Sequence, residues 1–224
     1  MSDMNMTLRN HYDDRMDAVR SNVIRMGNLA ARMISTAVES VLAADSNLAL
    51  QVMALDDEVD ALEKENVLES CLLVLRDQPV ATDFRFLTAT IGVIGEFEKI
   101  ADDAVKLSKR ASKLSGGQFP SELRKPLQEV GRDAQQALAA CMKLYTAYSK
   151  ETADEVFSAE RATDTGFKNV RTIIYDLLAQ QPAEAERLIR VLEVFHALEH
   201  VSDRAVVIAK RLKLHNEMRE ATSA

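Results

Sequence analysis

Residues 87–106 read LTATIGVIGEFEKIADDAVK, and residues 188–207 read LIRVLEVFHALEHVSDRAVV. Both stretches place apolar side chains three and four residues apart, which is the spacing of one face of an α-helix. A constant offset of 101 residues aligns the two stretches, so that Glu98 corresponds to Glu199. The alignment predicts an internal duplication in which each half of the chain contains one copy of this helix.

The same helical period extends along almost the whole chain, without a sustained alternation typical of strands. Chain breaks are predicted at residues 45–47, DSN, which offer a stop and a new N-cap, at Pro79, at the cluster SGGQFPS of residues 115–121, and at Pro182. The helices lie between these breaks. Their approximate bounds are 7–45, 48–76, 82–114, 120–148, 152–180 and 183–216.

The predicted fold class is all-α, with the six long antiparallel helices forming two tandem, pseudo-symmetric three-helix bundles. Residues 1–115 would form the first bundle and residues 116–224 the second. A single long six-helix bundle is the structural alternative.

The composition is typical of a helical globular protein with a substantial core. Of the 224 residues, 47% are hydrophobic and 28% are charged, and there are only 7 Gly, 4 Pro and no Trp. The net charge is −7, and Lys and Arg are spread between acidic residues. This argues against direct nucleic-acid binding, which needs a concentrated basic surface.

A cytoplasmic location is expected. The N-terminal segment 1–17 is too polar for a secretory signal, and no window approaches the roughly 20 apolar residues of a membrane span. Cys71 and Cys141 are 70 residues apart and lie in apolar helical contexts, so both are predicted to be small buried hydrophobes. The protein could still dock on a membrane complex through its partners.

Carboxylates interrupt the apolar stripes of the third and sixth helices. Glu98 and Glu199 occupy positions predicted to face the core, where a charge is costly unless it is paired or binds a metal. Each has an aspartate one turn further on, and the preceding helix of each half carries another acidic pair. The predicted metal ligands are Asp56, Asp60, Glu98 and Asp102 in the first half, and Glu160, Asp164, Glu199 and Asp203 in the second.

Four carboxylates on two antiparallel helices could converge in each half. Oxygen-rich clusters suit Mg²⁺, Mn²⁺ or iron, singly or as a multinuclear centre, and zinc stays open as well. One alternative is that each acidic pair is simply a solvated helix face. Another is a metal-free interaction bundle in which Lys64, Lys99 or Arg204 bridges the acids.

An enzyme is a further alternative, because residues 196–200, HALEH, match the H-x-x-E-H pattern of inverted zinc peptidases. His196 and His200 would bind zinc and Glu199 would act as the general base. The corresponding first-half segment 95–99, GEFEK, keeps the glutamate without any histidine. The duplication therefore accounts for Glu199 without catalysis, and the chain is predicted not to be an enzyme.

Several segments resemble the PhoU family of phosphate-uptake regulators. Residues 78–85, QPVATDFR, and residues 98–102, EKIAD, resemble the family's segments QPVATDLR and ERIGD. Residues 199–203, EHVSD, resemble the second copy of ERIGD, and Met26 and Gly27 resemble an early MG in the family's first helix. The similarity extends over essentially the whole chain.

The resemblance implies tandem three-helix bundles whose acidic motifs bind metal clusters. It also implies a negative regulator of phosphate uptake and phosphate-starvation signalling. Such a regulator acts as an adaptor between a phosphate ABC transporter and a sensor histidine kinase. Arg85, which follows the Pro79 break, is a candidate partner contact; its alternative role is to cap the carbonyls of the second helix. We further expect a homodimer.

Overall fold

The computed structural model describes residues 2–114 and 119–223, with side chains described for 11–110, 114 and 119–221. These residues form six α-helices and one 3₁₀ turn, Pro182–Glu184. The helices are α1 (Ser2–Ala43), α2 (Ser46–Asp77), α3 (Ala81–Leu114), α4 (Ser121–Thr146), α5 (Lys150–Gln180) and α6 (Ala185–Ser223). No strand occurs in these ranges, and the predicted all-α fold is confirmed.

The helices end where local chemistry predicts. The Asp45 side chain accepts a hydrogen bond from the backbone N–H of Asn47 at 2.8 Å and so caps α2. At the other end of α2, Gln78 adopts a left-handed conformation with φ of 46°, and Pro79 follows it. Ser149 caps α5 in the same way as Asp45 caps α2. Short connections of this kind make consecutive helices antiparallel neighbours.

The three helices of each half contact one another, and contacts of α3 with α6 and of α1 with α4 join the halves. One continuous apolar cluster extends through both halves and includes Phe97 of α3 and Phe195 of α6. The predicted domain boundary, between residues 115 and 116, lies outside the described residues, and the division into two bundles stays a prediction.

A local two-fold relation connects α3 and α6. Arg110 of α3 pairs with Glu193 of α6 at 3.0 Å. Arg211 of α6 lies over Gly92 of α3, where an added Cβ would be 2.7 Å from the Arg211 Nη1. Positions 193 and 211 are the repeat equivalents of 92 and 110. Such reciprocal contacts are the signature of a two-fold axis between equivalent surfaces.

Gly27 allows α1 and α4 to approach closely at the junction of the two halves. A Cβ added there would lie 2.9 Å from Cγ of Met142 in α4 and 3.0 Å from Cζ of Phe97 in α3. Any larger side chain would displace these neighbours, because contacts below 3.0 Å overlap. A Cβ at this position would require the Met142 side chain to shift where three helices meet.

The structure corrects one cysteine prediction and confirms the other. Cys141 is buried, and its thiol donates a hydrogen bond to the carbonyl of Ala205 at 3.0 Å. Cys71 is exposed, although it was predicted to be buried. Its apolar sequence neighbours Leu68 and Leu75 are exposed as well, so the apolar context marks the outer face of α2 and not the core.

Within the described ranges, no helix combines the length and the apolar character needed to cross a membrane.

Candidate functional site

The predicted acidic residues of the first half come together between α2 and α3. Asp56 and Asp60 are one turn apart on α2, and Glu98 and Asp102 are one turn apart on α3. The two pairs interact electrostatically across the helices. The charge of Asp102 acts on the Asp56 carboxyl, and the charge of Asp60 acts on the Glu98 carboxyl. This pairing is the one expected for antiparallel neighbours, and we refer to the four residues as the first acidic cluster.

The first acidic cluster lies at the edge of the core and opens to solvent. Ile94 and Ala101 are buried, but Glu98 is only half-buried and Asp102 is exposed. Glu98 therefore lies at the edge of the core and is not enclosed in it, although the sequence pattern predicts a position facing the core. Phe84, one helical turn before Leu87 on α3, is 46% exposed.

The electrostatics of this cluster show crowded negative charge. Burial, followed by the charges of Asp60 and Asp102, raises the pKa of the Asp56 carboxyl above its ordinary value. Burial, followed by the charge of Asp102, raises the pKa of Glu98. A cation placed among these carboxylates would favour their ionised forms, because it opposes both effects.

The corresponding residues of the second half form a second acidic cluster between α5 and α6. Glu160 and Asp164 lie on α5, and Glu199 and Asp203 lie on α6. Burial, followed by the charge of Asp203, raises the pKa of Glu199, and the charges of Asp164 and Glu160 act in the same direction. Electrostatic coupling therefore groups the eight predicted acids into two equivalent sets of four. Among the described residues, neither set of four brings three carboxylate ligand atoms within 4.8 Å of one another.

Lysines from the same helices partly balance both clusters. The pairs, each between residues i and i+4, are Lys64 with Asp60 at 3.8 Å, Lys106 with Asp102 at 3.8 Å, and Lys168 with Asp164 at 2.6 Å. Exposed pairs of this kind contribute little to stability. Lys99 and Arg204, proposed above as bridges in a metal-free bundle, make their ion pairs with Glu96 and Asp103 instead.

The three residues of the H-x-x-E-H motif form a cluster with metal-ligand character. In His196, Glu199 and His200, one candidate ligand atom of each residue lies within 4.8 Å of the others. The His196 and His200 ring centroids are 4.1 Å apart, and Phe167 of α5 stacks on His196 at 5.7 Å. Burial, followed by the neighbouring His196, lowers the pKa of His200. Glu199 thus belongs to the acidic cluster and to this histidine cluster.

The acids that are truly buried were missed by sequence reasoning. Glu96 and Asp103 lie on the face of α3 that meets α6, and their side chains are 7% and 3% exposed. Arg204 of α6 places its Nε 2.9 Å from Asp103 Oδ2 and its Nη1 3.6 Å from Glu96 Oε2. The sequence does indicate this pair, because the offset of 101 residues aligns Asp103 with Arg204. Opposite charges at equivalent positions attract across a two-fold axis.

Arg85 lies within α3, close to its start, and not in a loop. Its Nη1 donates to the backbone carbonyl of Met218 in α6 at 3.4 Å. This contact ties the start of α3 to α6, and the alternative role of capping the carbonyls of α2 stays a prediction. Its role in binding a partner stays a prediction.

Comparison with known proteins gives consistent matches along the chain. The family model described as PhoU domain matches residues 23–111 and again residues 127–212. A relative from Pseudomonas aeruginosa, named phosphate-specific transport system accessory protein PhoU homolog, is 26% identical over 201 residues, which cover 89% of this chain and 82% of the relative. That protein is named as an accessory protein and not as an enzyme, in agreement with the prediction for this chain.

Solved structures agree with the fold. The crystal structure of PhoU from Pseudomonas aeruginosa superposes with a TM-score of 0.87 at 23% identity, covering 92% of this chain and 99% of that chain. The phosphate transport system regulatory protein PhoU from Streptococcus pneumoniae superposes with a TM-score of 0.73 at 16% identity, covering 92% and 96%. Since the family model matches most of the chain, in one segment of each half, the chain belongs to the PhoU domain family.

Proposed function

We propose that this protein is an accessory regulator of phosphate transport that represses the phosphate-starvation response when phosphate is plentiful. The observation that carries the proposal is the match of the PhoU domain model to both halves of the chain. The relative from Pseudomonas aeruginosa is named an accessory protein of a phosphate-specific transport system. In the proposal, the protein acts in the cytoplasm as an adaptor between the phosphate ABC transporter and a sensor histidine kinase, and it reaches the membrane through them.

Two features of the fold support an adaptor that works through protein contacts. The continuous core holds both halves together, so surfaces on different helices keep a defined relative position. Large apolar side chains are exposed on α2 and α6, among them Leu75 and Leu214. Exposed apolar groups are typical of protein interaction sites when they form patches. We include a homodimer in the proposal as one use of such surfaces.

Metal binding is the second element of the proposal. Each acidic cluster would hold a divalent or multinuclear metal, with Mg, Mn, Fe and Zn as the candidates. The residues are compatible with this role, because two acidic pairs on neighbouring helices act on one another electrostatically. Burial, followed by neighbouring negative charge, raises the pKa of Asp56, Glu98 and Glu199. A bound cation would neutralise the cluster and hold α2 against α3, and α5 against α6.

Deleting the gene tests the regulatory proposal. In a medium rich in phosphate, we expect the starvation response to be switched on in the deletion strain, because its repressor is absent. The measurement is the output of a starvation-responsive promoter, compared with the parent strain and with a strain complemented by the wild-type gene. Repression that persists unchanged in the deletion strain would contradict the proposed function.

Substituting one carboxylate in each cluster tests the metal proposal. Asp102→Asn combined with Asp203→Asn should weaken metal binding by roughly tenfold or more, since even the outer partners of metal ligands contribute about 10–100-fold. Metal content is measured by elemental analysis after native purification. Glu129→Gln is the control, because Glu129 lies on α4 and pairs with Lys125 at 3.6 Å, outside both clusters. Equal metal content in all three proteins would remove the assigned sites.

A further inference from the structure

The two acidic clusters are equivalent in position but differ in the donor atoms around them. The repeat offset aligns His196 with Gly95 and His200 with Lys99. The first cluster therefore offers carboxylate oxygens beside the ammonium group of Lys99. The second offers carboxylate oxygens together with two imidazole rings. This difference lies within one chain, so each cluster serves as an internal reference for the other.

The geometry of the second cluster suits a shared ion. His196 and His200 are four residues apart on α6 and present their rings on one face, with Glu199 beside them. The candidate ligand atoms lie within 4.8 Å of one another, whereas ligands of one tetrahedral zinc ion are about 3.3 Å apart. Side-chain rotation can close this gap, because the three residues are exposed or half-buried. Stacking on Phe167 already orients the His196 ring.

The neighbouring ion pairs favour nitrogen ligands in the second cluster. Asp164 pairs with Lys168 at 2.6 Å, so its carboxylate is already shared with an ammonium group. In the first cluster the corresponding pair, Lys64 with Asp60, is looser at 3.8 Å. The imidazoles therefore supply donors at the cluster where an oxygen donor is most firmly occupied.

Ligand type selects the metal. Carboxylates and water suit Mg²⁺ and Mn²⁺, whereas imidazole nitrogen favours zinc, nickel, copper and iron. We propose that His196, His200 and Glu199 form a non-catalytic transition-metal site that binds Zn²⁺ in preference to hard cations, while the first cluster keeps the preference of an all-oxygen site. The inference rests on the metal binding proposed above and assigns different ions to the two halves.

Titration of the metal-free full chain with Zn²⁺ and, separately, with Mn²⁺ tests the proposal by calorimetry. The double variant His196→Gln and His200→Gln should weaken Zn²⁺ binding at one site by at least about tenfold, with Mn²⁺ binding to the first cluster unchanged within about twofold. His11→Gln is the matched control, because His11 is an exposed histidine of α1. Circular dichroism should show the same helix content in all variants, since neither substituted ring is fully buried.

Cobalt gives an independent readout of the ligand type. Co²⁺ bound to the wild-type chain should show the visible absorption of a site with nitrogen ligands, and the double variant should lose it. His200→Lys, which copies the first cluster, should lose it as well. Equal Zn²⁺ affinity and equal Co²⁺ spectra in the wild type and the double variant would overturn the inference.

The outcomes separate the two proposals. One outcome is that the variant with Asp102→Asn and Asp203→Asn loses Mn²⁺ binding, while Zn²⁺ affinity is the same with and without the two histidines. In that case only the inference about the second cluster fails. If the wild type binds neither ion, the metal part of the proposed function fails with it.

Discussion

Replacing Arg204 by Met should lower the free energy of unfolding by about 3 kcal/mol, because it leaves buried Asp103 without its partner from α6. From α6, buried Glu96 keeps only the longer pair with Arg211, at 3.9 Å. Asp103 and Glu96 are nearly inaccessible to solvent, and Arg204 pairs with both. Lys106 and Lys99 remain within 3.0 and 3.1 Å of these acids, which places the loss at the lower end of the range for buried pairs. The measurement is urea unfolding followed by circular dichroism.

The pair of Arg110 with Glu193 provides a matched control. It also joins α3 to α6, at 3.0 Å, but its side chains are 30% and 47% exposed. Arg110→Met should therefore cost less than about 1 kcal/mol. Adding Asp103→Asn to Arg204→Met should recover part of the loss, because it removes one unpaired buried charge. If Arg204→Met and Arg110→Met unfold at the same urea concentration, the ion pairs of Arg204 with Asp103 and Glu96 do not hold the halves together.

Replacing Phe97 by Ala should cost about 3–5 kcal/mol, the range measured for large aromatic side chains in cores. Phe97 is 1% exposed and lies where Gly27 of α1 and Met142 of α4 meet α3. The substitution would leave a cavity at this junction, and close-packed helices cannot fill it without shifting. Thermal or urea unfolding measures the loss, and the helix content before unfolding should stay near that of the wild type.

Phe84 is the control for this substitution. It lies on the same helix and has the same side chain, but it is 46% exposed. Phe84→Ala should change the free energy of unfolding by about 0.5 kcal/mol or less. A loss in Phe84→Ala as large as that in Phe97→Ala would mean that Phe84 is covered, for example by a second copy of the chain. Repeating the measurement at several protein concentrations would distinguish that case.

Sequence reasoning placed the predicted acidic residues on the correct helices but misjudged their burial. The spacing of Glu98 and Asp102 placed them correctly on one helix face beside α2. It also placed Glu98 in the core, whereas the structure has it at the core's edge. The truly buried acids, Glu96 and Asp103, lie on another face of α3, because that helix is covered by α6 as well as by α1 and α2. A helix covered on several sides has no single core stripe.

The duplicated helix of residues 87–106 and 188–207 followed from the sequence alone, because helical periodicity and capping depend on neighbours along the chain. The same local rules located the six helices and their breaks. Only the tertiary structure decided which charges are buried, how Arg204 joins the halves, and that His196, Glu199 and His200 meet as one cluster. These features depend on helix contacts and side-chain rotation, and therefore on residues that are distant in the sequence.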